Sequence, residues 1–387
     1  MSVLGPSGFS AAGAAIGIKG GGRLDAALVV AETAVNAAAV FTQNRVAAAP
    51  VQTSRAHLAA TSNQVRAVLL TSGNANAATG DEGLSATEAL CAAVANGVGC
   101  TSDEVLICQT GLIGIPFPLA DALGGMASLL GNLGADEAAG HQAAEAIMTT
   151  DTFAKEVLIE GDGFSVGGMA KGAAMLAPDM ATMLAVLTTD AAVTPELLKE
   201  SLLEAVGPSF NSMLTDGCTS TNDTVIVLSS GSAGVVDLAE FKAALRAACL
   251  KLAEDMVVDA EGATKAVRIN VTGAVDDAEA HRCAKKIANS ALVKCSLNGE
   301  DPYWGRVLSE AGTAGVAMEP DTCSITYGGI EVSYGAVEVP HDAAAVAAHM
   351  AERWITIGVD LGLGTGSAAI LTTDLGHGYI DENRTTS

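Results

Sequence analysis

The chain has 387 residues, of which 49% are hydrophobic and only 3% aromatic, and a formal net charge of −24 from 20 Lys+Arg against 44 Asp+Glu. The length suits one large domain or two intimate ones. So negative a field repels phosphate and anionic lipid, which argues against nucleic acid and membranes as partners. The apolar content is carried by Ala, Val and Leu, so helices and strands are expected to pack closely through small side chains.

Val65–Leu70 reads as a strand running into the turn Ser72-Gly73-Asn74-Ala75-Asn76, and Ser85–Ala95 as a helix. Val105–Cys108 reads as a short buried strand entering Gln109-Thr110-Gly111. The nearest thing to a boundary is Gly161 to Ala181, rich in Gly, Ala and Met. Beyond it, Thr182–Thr188 is predicted as a strand. Thr194 then caps a helix with Pro195 at its first position. Val225–Leu228 is a strand, Asp237–Val258 an amphipathic helix, Lys265–Val271 a strand and Ala278–Val293 a single helix. Strands alternating with long helices predict an α/β layered sandwich, with parallel and antiparallel pairing both open.

Several segments suit chemistry, each with a plainer structural meaning beside it. Thr182 opens its strand after the small Ala181 and a bendable approach. An N→O acyl shift there would break the chain, and the freed α-amine could serve the Thr182 hydroxyl as its base. A strand-initial Thr is also an ordinary strand former. Thr110 and Gly111 could donate to an oxyanion, or simply make a tight turn. The hydroxyl- and amide-rich blocks 72–80 and 219–224 suit substrate positioning or turn building. Glu261, before the helix-stopping Gly262, could meet an amine or stand in solvent at a helix end. Residues 298–306, with Trp304 and Arg306, could anchor a helix against a carboxylate or form a plain turn.

The six histidines lack metal-ligand spacing, and there is no phosphate-cradling G-x-x-x-x-G-K-[ST] loop, so neither a metal nor a nucleotide cofactor is expected. The eight cysteines contain no CxxC pair and read as buried free thiols in a reducing, cytoplasmic setting. The start Met1-Ser2-Val3-Leu4-Gly5-Pro6 lacks the basic and apolar regions of a secretory signal, and no apolar run of about 18 residues suggests a membrane span.

Taken in order, these blocks resemble the ornithine acetyltransferase family, the glutamate N-acetyltransferases of cyclic arginine biosynthesis. The blocks are 40–46, 72–77, 110–114, 148–152, 171–184, 220–224, 261–265, 300–306 and 372–375, and they span nearly the whole chain. The resemblance implies a self-cleaving, N-terminal-nucleophile-like fold, cut between Ala181 and Thr182 into an alpha chain (1–181) and a beta chain (182–387). It implies Thr182 as the nucleophile that carries the acetyl group, and Thr110 with Gly111 as the oxyanion hole. Thr152, Lys171, Thr182, Glu261, Asn383 and Ser387 would bind the amino-acid substrate. The activity implied is ping-pong transfer of acetyl from N-acetylornithine to glutamate by a heterotetramer of two alpha and two beta chains. Acetyl-CoA stays open as a further donor, and a self-cleaving aminopeptidase or amidohydrolase is the alternative. Departures from the family pattern include Asp179 for Asn, Ala173-Ala174 for a more glycine-rich pair and Ile115 for an acidic residue; none touches Thr182, Thr110 or Gly111.

Overall fold

The computed structural model describes residues 3–177 and 183–384. In chain order its elements begin with β1 (Phe9–Ala14), β2 (Ala26–Phe41), α1 (Ala49–Ala60), β3 (Gln64–Asn74), α2 (Gly80–Val98) and β4 (Val105–Leu112). There follow α3 (Leu119–Gly131), α4 (Glu137–Ala146), β5 (Lys155–Glu160), β6 (Ser165–Lys171), β7 (Leu184–Ala191), α5 (Pro195–Val206), β8 (Met213–Leu214) and β9 (Thr224–Gly234). The last part holds α6 (Leu238–Val258), β10 (Ala266–Ala274), α7 (Asp277–Ala288), α8 (Ala291–Asn298), α9 (Trp304–Ala311), β11 (Ser324–Tyr327), β12 (Ile330–Tyr334) and β13 (Val337–Glu338). It closes with α10 (Ala343–Ala351), β14 (Trp354–Asp360), β15 (Gly366–Thr373) and α11 (His377–Glu382).

These elements form two compact units. The first holds an eight-stranded mixed sheet in the order β4-β3-β2-β9-β7-β6-β5, with β1 on β2. The second holds a seven-stranded sheet in the order β13-β12-β11-β14-β10-β15-β8. Helices accompany both sheets, so the layered α/β expectation holds, with parallel and antiparallel pairs in each sheet. Among the described residues no helix is long and apolar enough to cross a membrane.

Strand β2 organises the first unit. Its first half pairs with β1 and β3, and after a register shift between Val30 and Val35 its second half pairs with β9. One extended strand thereby serves three neighbours. Its buried positions are mostly Ala and Val, including Ala27, Val29, Ala31, Ala37 and Ala39 in one cluster and Ala26, Leu28 and Val30 in another. Small side chains on both faces let layers approach from either side, as the composition predicts.

Local signals hold where they rest on capping. Thr194 Oγ1 accepts from Leu197 N at 3.4 Å, with Pro195 opening α5. The helix expected over 278–293 is instead two: α7 ends at Ala288, and Ser290 caps α8 by accepting from Val293 N at 3.3 Å. The segment 161–181, expected as the nearest thing to a boundary, contains β6, which pairs antiparallel with β7 in the same sheet.

Candidate active site

In the first unit, Thr110 and Gly111 lie inside β4, where a turn was a standing alternative. They pair in parallel with Ser72 and Gly73 of β3. Gly111 has φ +132°, and a Cβ there would meet the Gly73 carbonyl carbon at 2.3 Å and Asn74 N at 2.5 Å. Only glycine lets the two backbones approach so closely. Downstream, Asn74 Nδ2 donates to the carbonyls of Ile115 and Pro116 at 3.2 and 3.1 Å, which holds the segment that follows β4.

The Asn222 side chain stitches this edge together. Its Nδ2 donates to Ala75 O at 2.6 Å and Gln109 O at 2.8 Å. Asn76 Nδ2 adds a bond to Gln109 Oε1 at 2.9 Å. The two amide-rich blocks therefore brace each other's backbones and β4 beside Thr110, and Ser72 to Asn74 belong to β3 and not to the expected turn.

Lys171 ends β6. Its Nζ donates to Thr110 Oγ1 at 3.4 Å, and both side chains are buried. The sheet thus brings together two residues 61 positions apart that the resemblance assigned to one site. A cation on the Thr110 hydroxyl oxygen favours orienting the O–H away from Lys171, so that hydroxyl remains a donor for another acceptor.

The residue before Thr152 carries the local electrostatics. Asp151 Oδ1 accepts from Lys155 Nζ at 2.7 Å and from Gly172 N at 2.8 Å, and its Oδ2 accepts from Thr149 N at 3.0 Å. The Asp151 and Lys155 side chains have no solvent exposure. Burial opposes the Asp151 charge, but Lys171 and Lys155 outweigh it and hold the carboxyl well below the usual carboxylate range. Asp151 thereby fixes the turn after Lys171 and leaves Thr152 exposed next to it. A third lysine lies in the same field. Lys19 Nζ donates to Leu24 O at 3.1 Å and Met148 O at 2.6 Å, and burial lowers its pKa to about 8.

In the second unit, Asn383 Nδ2 donates to Glu261 Oε2 at 2.8 Å, so two further predicted substrate residues meet although 122 positions apart. Gly262, at φ +63°, brings this turn against the Gly378–Tyr379 backbone, where a Cβ would lie 2.1 Å from Tyr379 N. The Tyr379 phenol is pushed up to about 12 by burial and by the nearby Asp216 and Glu261 carboxylates. In the 298–306 block, Arg306 donates to the Leu292 carbonyl at 3.2 Å, and Glu300 pairs with Lys265 at 2.7 Å. Ala181, Thr182 and Ser387 lie outside the described residues. Asp151, Lys155 and Asp223 were not singled out from the sequence. Asp151 and Asp223 stand within blocks that were quoted, but burial, their distinguishing property, leaves no mark on residue type.

The ArgJ family model matches residues 10–385. The arginine biosynthesis bifunctional protein ArgJ of Thermobifida fusca is 45% identical over 384 residues, 99% of both chains. The protein of the same name from Mycobacterium tuberculosis is 44% identical over 393 residues, 99% of this chain and 96% of that one. Similar solved structures include the arginine biosynthesis bifunctional protein ArgJ of Bacillus halodurans, at 34% identity and TM-score 0.49, covering 51% of this chain and 96% of that one. Another is the ornithine acetyltransferase of Mycobacterium tuberculosis complexed with ornithine, at 44% identity and TM-score 0.44, covering 46% and 94%. With agreement of this depth along nearly its whole length, the chain belongs to the ArgJ family.

Proposed function

We propose that the chain is a glutamate N-acetyltransferase of arginine biosynthesis, moving acetyl from N-acetylornithine to glutamate through an ester on Thr182. The observation that carries this reading is the convergence of Lys171 on Thr110 beside Gly111, in the sheet whose strand β7 starts two residues after Thr182.

Maturation comes first. The Thr182 hydroxyl oxygen attacks the Ala181 carbonyl carbon, the C–N bond breaks, and water hydrolyses the ester to leave 1–181 and 182–387. In transfer, the Thr182 oxygen attacks the acetyl carbonyl. Its proton passes to the Thr182 α-amine and then to the departing ornithine nitrogen. The glutamate amine attacks the acetyl ester and the same proton path runs back. Thr110 Oγ1–H and Gly111 N–H meet the oxyanion in both halves. Donors aimed where charge develops contribute most in the transition state. Thr152, Lys171, Thr182, Glu261, Asn383 and Ser387 bind the amino acid, with Lys171 suited to a carboxylate. Acetyl-CoA is a further donor to be tried, two copies of each fragment form the assembly, and the eight free thiols suit a reducing cytoplasm.

Intact mass of the purified protein tests the cut. Trapping with N-acetylornithine, followed by peptide mapping, tests the acetyl ester on the peptide that begins at Thr182. Thr182→Ala is expected to give an uncut, inactive chain, and an uncut but fully active one refutes the mechanism. Ornithine release that needs no glutamate would favour the amidohydrolase alternative.

A further inference from the structure

One buried carboxyl of the first unit has no part in the mechanism above. Asp223 stands immediately before β9 with no solvent exposure. Its Oδ1 accepts from Met183 N at 2.9 Å, and Thr224 N donates to Met183 O at 3.2 Å, so Met183 is gripped at both backbone polar groups. Asp223 Oδ2 is buried and, among the described residues, has no hydrogen-bond partner. A buried polar atom left so is costly and calls for a group that it serves.

The Met183 nitrogen is separated by three bonds from the nitrogen of residue 182. The Asp223 carboxyl therefore holds the residue that is covalently joined to that second nitrogen. That nitrogen is the atom that a cut at 181/182 releases.

We propose that Asp223 is the proton carrier of self-cleavage, an inference that rests on the Thr182 reading above. As the residue 182 hydroxyl oxygen bonds to the carbonyl carbon of residue 181 and the C–N bond breaks, Asp223 Oδ2 gives its proton to the leaving nitrogen. The carboxylate then takes the proton that the hydroxyl gives up. The carboxyl ends as it began, and the nitrogen leaves as a neutral amine, the form that acts as base in acetyl transfer. Oδ1 keeps its bond to Met183 N throughout.

Burial favours the protonated carboxyl this needs. It pushes Asp223 well above the usual carboxylate range, against the opposing Met183 amide, Ser220 hydroxyl and Lys171 charge. Lys171, on β6, is the charged group acting on it. The nearby titratable group on β4 is Cys108, beside the Thr224 hydroxyl, and burial holds its thiol neutral, at about 12.

The test follows the full-length chain after cell-free synthesis, with intact mass recorded over time from about pH 6 to about pH 9. Asp223→Asn preserves size and the acceptor for Met183 N but removes the acidic proton. Cutting is expected to slow by about 100-fold or more, and the wild-type rate to fall with rising pH while the residual rate of the variant stays flat. A folded Asp223→Asn chain cut at the wild-type rate with the wild-type pH profile overturns the proposal. If that variant does not fold, Asp223→Glu decides: a displaced pH profile supports the carrier role, and an unchanged rate and profile refute it. A wild-type chain that is never cut removes the Thr182 reading and this one together, whereas a cut wild type with an equally cut variant removes Asp223 alone.

Discussion

Replacing Asp151 by Asn tests whether the buried charges beside Lys171 hold the site together. The Asp151–Lys155 pair is 2.7 Å apart with no exposure on either side. The substitution keeps the volume and removes the anion facing Lys155. The Phe153 ring, 4.9 Å from the same ammonium, offers only a weak compensating attraction. Removing one partner of a fully buried pair typically costs about 3–5 kcal/mol. For a domain of roughly 200 residues that lowers the thermal midpoint by about 6–20 °C. Asp151→Asn with Lys155→Met removes both charges and should recover most of the loss, because the penalty comes from an uncompensated charge. The assay is thermal unfolding of the four proteins of the cycle at one scan rate, with transfer activity beside it. A single variant within about 0.5 kcal/mol of wild type, or a double variant no better than the single, refutes the reasoning. The sign in pH also follows. The folded carboxyl is held below its unfolded value, so its contribution is fully present at neutral pH and is lost as pH falls below about 4.

Thr110→Val keeps the shape of the side chain and removes the hydroxyl. It should lower kcat by about 100- to 1,000-fold with KM little changed, measured as ornithine formed per unit time; an unaltered kcat would remove Thr110 from the oxyanion role. Lys294 is buried in the second unit, with Nζ donating to Thr372 Oγ1 at 2.7 Å and Thr373 O at 2.9 Å, and burial lowers its pKa to about 7. Its folded value lies below its unfolded one, so the unfolded chain binds more protons between about pH 7 and about pH 10 and stability gains with pH across that window. The difference in thermal midpoint between wild type and Lys294→Met should therefore move in favour of wild type as pH rises. A constant difference would show that Lys294 stays charged in the fold.

What could be read from the sequence was what depends on neighbours in the chain. The Thr194 cap and Pro195 mark α5 because both act within one turn. Strand β2 carries no such mark. Its Ala- and Val-rich run is buried on both faces, so period-two alternation is absent, and tertiary burial overrides a composition equally fit for a helix. The break between α7 and α8 went unread although Asn289-Ser290 is a local signal for it, since both residues are favoured at caps over helix interiors. Thr110–Lys171 and Glu261–Asn383 could be grouped only through the resemblance, since spacing says nothing of partners 61 or 122 positions away. Asp151, Lys155 and Asp223 derive their properties from a surrounding that exists only after folding.

The order of strands in the first sheet gives the proposed cut an unusual result. β7 and β9 come after residue 182, and they lie between β2 on one side and β6 on the other, both from before it. Scission would leave two polypeptides woven through a shared hydrogen-bonded lattice, neither able to complete the sheet by itself. The intact precursor can find its register within one molecule, whereas severed pieces separated by denaturant must meet by collision. Recovery after dilution would then depend on protein concentration for the cut form and not for the uncut one, so the enzyme would gain its nucleophile by giving up an easy return to the folded state.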